Sequence, residues 1–210
     1  MSATFEVTGL FYELSGYKCR KYLGIKRMDS LKGVPELMIV MMNPGSSYPL
    51  DGVYSNSLPT EAKPDNTQQQ TMKVMDSGSI DYARILNLSD LRTPNSNTLY
   101  KFIKSGESNS VNHSIFTSTR KTELDQLVVK NVPVIFGLGV NSALAPLAKQ
   151  AVESLSIETP LGLLKANSKY SYYHPLPRIY EKQMDWVKHV TSQLTSRLSA
   201  PGAQNKRAGY

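Results

Sequence analysis

Four short polar motifs hold the side chains that could do chemistry, and each comes at or near the end of an extended run. Asn43-Pro44-Gly45 closes the apolar run Leu37 to Met42, and Asn87 lies in the run from Ala83 to Leu88. Gly137-Leu138-Gly139 follows Val132 to Phe136, and His174-Pro175-Leu176-Pro177 follows the polar-aromatic stretch Ser168 to Tyr173. An asparagine amide offers a donor and an acceptor, a neutral imidazole one of each, and a glycine turn bare N–H groups. Together such groups can hold a water, read a polar edge and take up charge on a developing anion. Metal chemistry is not indicated, because His113, His174 and His189 lack ligand spacing. There is no GxxxxGK[ST] phosphate loop and no GxSxG elbow, and Phe136 to Gly139 is too short for a dinucleotide fingerprint. The single cysteine, Cys19, excludes an internal disulfide, a four-cysteine zinc site and a cysteine-ligated iron–sulfur cluster.

Each motif also has a plain structural reading. Asn, Pro and Gly are turn formers, Asn87 could bond a neighbouring backbone group, and His174 could cap a loop. Tyr170, Tyr172 and Tyr173 could be core or a stacking platform. Asp51, Asp65 and Asp81 are the alternative acids, and the sequence does not place them relative to the motifs.

The elements that must position these residues follow from periodicity. Residues 5–27 alternate apolar and polar around three glycines, as short antiparallel edge strands do. Leu37 to Met42 and Ala83 to Leu88 predict strands buried on both faces, and Val132 to Phe136 a further strand. Tyr48 to Asp65 is a long loop rich in Pro, Gly, Ser and Asn. Helices are predicted over 67–75, 119–130 and 141–155, the last disturbed by Pro146, and over 178–198 with Met184, Val187, Leu194 and Leu198 on one stripe. Alternating strands and helices predict an α/β fold: one three-layer domain over 1–199 with a mainly parallel central sheet, and a disordered tail over 200–210. Ligands in such sheets bind outside the carboxyl ends of the strands, where all four motifs lie.

The chain has 210 residues and a formal charge of +7, and a pI near 9.4 favours a polyanionic partner such as DNA. Basic residues cluster at Lys18, Arg20 and Lys21, at Arg120 and Lys121, and at Lys165 and Lys169; any one cluster reads as solvated surface charge. No apolar run reaches membrane-spanning length, and the first residues lack a signal-peptide pattern, so the expected compartment is the reducing cytoplasm, with no membrane and no obligatory protein partner.

Met42-Asn43-Pro44-Gly45-Ser46-Ser47 resembles the first active-site motif of the uracil-DNA glycosylase superfamily, in particular its mismatch-specific branch. His174-Pro175-Leu176-Pro177-Arg178 resembles the superfamily's last motif, and Leu86-Asn87-Leu88 the strand-end asparagine that reads the base edge. With Pro64-Asp65-Asn66-Thr67, the pattern also resembles a bacterial and phage family of formerly unknown function. The resemblance runs in order from Leu37 to Arg178 and implies a uracil-DNA glycosylase-like fold and a monofunctional glycosylase that leaves an abasic site without a cofactor. It implies that Asn43 orients the water, that His174 donates to the leaving pyrimidine or forms part of its anion hole, and that Asn87 pairs with the edge of a flipped base. Gly45, Ser46, Tyr48 and Asp65 would shape the substrate site. Pro177, Arg178, Lys169, Arg120 and Lys121 would contact DNA.

Two departures qualify the implied substrate. Enzymes strict for uracil carry an aromatic gate where Gly45 and Ser46 stand, so the site is expected to be open to uracil, damaged bases or 5-modified cytosines, including the glucosylated bases of phage DNA. Asn43 cannot act as a general base, so its role would be positional. A nucleic-acid-binding module without chemistry and an enzyme acting on free nucleosides or nucleotides are the alternatives.

Overall fold

The computed structural model describes residues 4–54 and 57–200; the expected tail from 201 onward lies outside the described residues. The chain opens with an antiparallel hairpin of β1 (Phe5–Leu14) and β2 (Tyr17–Arg27). Its two turn residues, Ser15 (φ 51°) and Gly16 (φ 80°), take the left-handed conformations that a tight two-residue hairpin needs. Then follow β3 (Leu37–Met41), the short β4 (Tyr48–Pro49), β5 (Thr60–Lys63), α1 (Asn66–Ser77) and β6 (Tyr82–Asn87). The remainder is α2 (Ser96–Lys104), α3 (Lys121–Leu127), β7 (Val134–Gly137), α4 (Ala145–Leu155) and α5 (Tyr180–Ser199).

One mixed sheet has the order β4-β5-β1-β2-β6-β3-β7. The expectation of a mainly parallel sheet is corrected here. Only the pairings of β3 with β6 and with β7 are parallel, whereas β1 with β2, β1 with β5, β2 with β6 and β4 with β5 are antiparallel. The cause is the amino-terminal hairpin: β2 docks antiparallel on β6 and carries β1 and β5 with it, so the two strands expected at the edge lie in the interior of the sheet. The segment 48–65, expected to be loop, contributes both β4 and β5.

Helices cover both faces. Val74 and Met75 of α1 and Trp186, Val187, Val190 and Leu194 of α5 pack against Phe11, Leu23, Ile25, Ile39 and Ile85. On the opposite face Leu99 of α2, Leu124 of α3 and Ala148 and Ala151 of α4 pack against Met38, Val40, Leu86 and Phe136. Strand β3, flanked by β6 and the edge strand β7, is buried along its whole length, as its unbroken apolar run requires. Met184 departs from the predicted stripe of α5 and is 40% exposed, with Trp186 and Val190 taking the buried positions. Pro146 stands in the first turn of α4, where it lacks no helical partner, and so it starts the helix instead of disturbing it. Among the described residues no helix is long and apolar enough to cross a membrane.

One irregularity controls what faces the α1/α5 side. Leu10 pairs with Tyr22 but Phe11 pairs with Arg20, so Lys21 is an extra residue in β2. The bulge reverses the alternation beyond it, and Arg20 comes onto the face of Phe11 and Leu23. Lys21 pairs instead with Glu123 of α3 at 2.8 Å, on the other side of the sheet.

Candidate functional site

The parallel strands β6, β3 and β7 end together, and a cleft of about 1180 Å³ lies near those carboxyl ends. Its wall includes Asn43, Gly45, Ser46 and Tyr48 after β3, Asp65 at the start of α1, Gly139 to Asn141 after β7, and His174 and Pro177 before α5.

Asn43 sits at a laced junction. Its amide nitrogen donates to the carbonyls of Thr93 at 2.8 Å and Leu91 at 3.3 Å, while Leu88 and Ser89 N–H groups donate to Met41 and Met42 carbonyls. Arg92 fastens the next stretch, donating to the carbonyls of Ser47 at 2.6 Å and Ser46 at 3.1 Å. With both amide hydrogens engaged, the carbonyl oxygen of Asn43 is the group left to act as an acceptor at the cleft.

Gly45 adopts φ +65°, and a Cβ on it would lie 2.5 Å from Oδ2 of Asp65. Asp65 caps α1: its Oδ1 accepts from the Thr67 and Gln68 N–H groups, and the Gln68 side chain answers by accepting the Asp65 N–H. One carboxylate oxygen therefore holds the helix while the other is turned to the Asn43 turn. The space expected to be open at Gly45 is walled by that carboxylate.

His174 is fixed from three sides. Gly137 has no side chain because Pro175 packs on it, a Cβ there coming within 2.9 Å of Pro175 Cδ. Trp186 Nε1 donates to the Tyr173 carbonyl at 3.0 Å, and Gln183 Nε2 to the Pro177 carbonyl at 2.7 Å, so α5 grips the loop on both sides of the imidazole. The Leu176 N–H donates to Nδ1 at 3.2 Å, which places the proton of the neutral ring on Nε2. Burial pushes its pKa down to about 4 against the opposing charge of Asp65, so the ring is a neutral donor at physiological pH.

Arg20 is the residue that composition concealed. It is fully buried, lines the cleft, and keeps Nε and Nη1 without a hydrogen-bond partner. The expectation that Arg20 is solvated surface charge is thereby corrected; the bulge at Lys21 turns it inward, and no signal in the sequence marks that bulge. Burial lowers its pKa to about 10, while Asp65 and Asp90 support its charge.

The other expected residues separate into two groups. Gly45, Ser46, Tyr48, Asp65 and Pro177 line the cleft with Asn43 and His174. Asn87 is fully buried with both side-chain polar atoms unpartnered, but it is not part of the cleft wall, although Ile85 two residues earlier is. Arg120 and Lys121 are absent from the cleft, and Arg120 is an internal residue. Its Nη1 meets Asp90 Oδ2 at 2.7 Å and its Nη2 meets Glu123, while Tyr12 Oη donates to the same Asp90 oxygen at 2.6 Å. Lys121 is exposed and paired with Asp125 at 2.9 Å. Lys169 and Arg178 are exposed and do not line the cleft. Of the nearby acids, Asp51 bonds Thr60 and Asp81 pairs with Arg27, which leaves Asp65 in the cleft. Tyr172 is core, whereas Tyr173 is 41% exposed and lines the cleft. The motifs themselves carry no lysine, but Lys63 and Lys182 stand at the rim. Among the described residues no group of three or more His, Cys, Asp or Glu side chains could hold a metal ion.

Comparison of the chain with protein-family models, with curated proteins and with solved structures finds no match.

Proposed function

We propose that the protein is a monofunctional DNA glycosylase of the uracil-DNA glycosylase-like fold. It flips out a pyrimidine, hydrolyses the N-glycosidic bond and leaves an abasic site. The observation that carries this proposal is the convergence of the Asn43 turn, the Asp65 carboxylate and the neutral His174 on one cleft at the ends of parallel strands.

Each group has a role suited to an oxocarbenium-like transition state. Asn43 positions water through its carbonyl oxygen, and Asp65, turned to the same turn, accepts the water's proton and supplies the base that an asparagine cannot be. Nε2–H of His174 donates to the departing base. The cleft exceeds the roughly 300–1,000 Å³ usual for small-molecule pockets, which supports a bulky substituted base such as a 5-modified or glucosylated cytosine of phage DNA, and hence a role in anti-phage defence. Ile179 and Tyr180, 51% and 62% exposed, follow Pro177 and Arg178 and suit contact with the duplex beside the vacated position.

The test is incubation of the purified protein with duplexes containing uracil, hydroxymethylcytosine, glucosylated cytosine or normal bases, scored by released base and alkali-sensitive sites. Release by the wild type, lost in Asn43→Ala and His174→Ala, is expected. Borohydride trapping of a protein–DNA adduct would instead assign the chemistry to Lys63 or Lys182. Salt-sensitive binding with no base released would make the fold a binding module.

A further inference from the structure

A guanidinium without a partner is costly to bury, and the surroundings of Arg20 do not relieve that cost. Nε and Nη1 find no acceptor within the protein, and among the described residues no carboxylate comes within ion-pair distance. Asp65 and Asp90 act on Arg20 only through space, and Arg92 opposes them. Asp90 is already engaged by Arg120 and Tyr12, and Oδ1 of Asp65 is engaged by its own helix. Among the described residues Arg20 therefore lines the cleft with no hydrogen-bonded or ion-paired carboxylate of its own, its charge supported through space alone by Asp65 and Asp90. In the neighbouring strand β6, Asn87 is likewise buried and has both its amide nitrogen and oxygen unpartnered. Asn87 lies outside the cleft wall, so Arg20 is the unsatisfied buried group that a ligand in the cleft would meet.

We propose that the floor of the cleft is an anion-recognition site in which Arg20 receives the deprotonated N–C=O edge of a pyrimidine ring. The inference rests on the glycosylase proposal for its chemistry. When the C1′–N1 bond breaks, its electron pair leaves with the base. Water adds hydroxyl to C1′ and gives its proton to Asp65, and the base departs carrying one negative charge. His174 is neutral and can donate only a hydrogen bond to that anion, whereas Arg20 supplies a full opposite charge in a site shielded from water. Bases that ionise readily are thereby favoured as substrates and retained as products.

The experiment is calorimetric titration of the whole protein with free bases, which needs no turnover. The probe is 5-nitrouracil, whose ring N–H ionises near neutrality, with uracil as the neutral comparison, each at a pH below and a pH above the ionisation of the probe. With the lower pH kept well above the value of about 4 to which burial pushes His174, the ring is mainly neutral in both arms, and the ionisation of Asp90, raised to about 6, is common to both probes and cancels against uracil. The expected result is at least tenfold tighter binding of the ionised probe by the wild type, with no such gain for uracil. Arg20→Gln should abolish the gain and Arg20→Lys keep part of it. Equal affinity for the two forms, no binding of either, or a gain that survives in Arg20→Gln would overturn the proposal. Arg20→Met, which removes the buried charge at similar volume, controls for folding, and the wild-type comparison stands if a variant fails to fold. Base release from DNA without anion preference would defeat the anion site and leave the glycosylase standing. Anion preference without base release would do the reverse.

Discussion

Oδ2 of Asp65 occupies the place that a side chain on Gly45 would need, 2.5 Å from where its Cβ would stand. The helix cap and the strand-end turn are therefore matched parts of one wall. Asp65→Asn should keep a capping oxygen and melt close to the wild type while base release falls by about a hundredfold or more. Asp65→Ala should also lose about 1 kcal/mol of stability with the cap. Gly45→Ala, strained at positive φ and colliding with the carboxylate, should cost about 1 kcal/mol or more, and pairing it with Asp65→Ala should cost less than the sum. Thermal melts beside a base-release assay check all four proteins.

Asn43→Asp is not a gain of function here, although it would place a general base in the motif. The amide hydrogens of Asn43 are spent on the carbonyls of Leu91 and Thr93, and a carboxylate would set like charges against both. The variant should lose about 1–3 kcal/mol of stability and gain no rate; denaturant unfolding and single-turnover kinetics report both.

The pH dependence of His174 has a definite sign. Its pKa is pushed down to about 4 by burial, so between that value and the ordinary 6.5 the unfolded chain binds a proton that the folded chain does not. The stability it contributes is complete above about pH 6.5 and is lost as the pH falls toward 4, amounting to no more than about 3 kcal/mol. His174→Gln should flatten the stability profile in that window, measured against the wild type because the pKa of His113 is lowered as well. Base release should show no loss near pH 6.5 of the kind an ordinary histidine would cause.

Arg120→Ala should destabilise the fold by about 3–5 kcal/mol, because it leaves Asp90 buried without its partner, and Asp90 is already pushed up to about 6 by that burial. Where folded protein can still be recovered, the salt dependence of DNA affinity should be unchanged, since no phosphate contact is removed. Fluorescence anisotropy across a salt series separates this result from the loss of a DNA-binding residue.

The strand-end motifs were legible because turn chemistry after an apolar run is local: Asn43 after β3 and His174 before α5 need no knowledge of the far chain. Asp65 was visible as an acid but not as the companion of Gly45, since their contact depends on how α1 enters the sheet. Sheet direction was misjudged for a similar reason. The runs in β3, β6 and β7 read correctly as strands, but no periodicity records that β2 docks on β6 in the opposite sense. Arg20 was misread as surface because its neighbours Lys18, Cys19 and Lys21 present an ordinary alternating strand.

The register of the hairpin makes the charge of the cleft a matter of counting. Deleting Lys21 would close the bulge yet leave Arg20 opposite Phe11 and Leu23 opposite Gly9, both on the cleft side of the sheet. The facing of the buried cation therefore follows from its pairing with Phe11 and not from its distance along β2 from Leu23. The unbroken count from the hairpin turn, Leu14 opposite Tyr17 through Phe11 opposite Arg20, is what holds the charge on the cleft side.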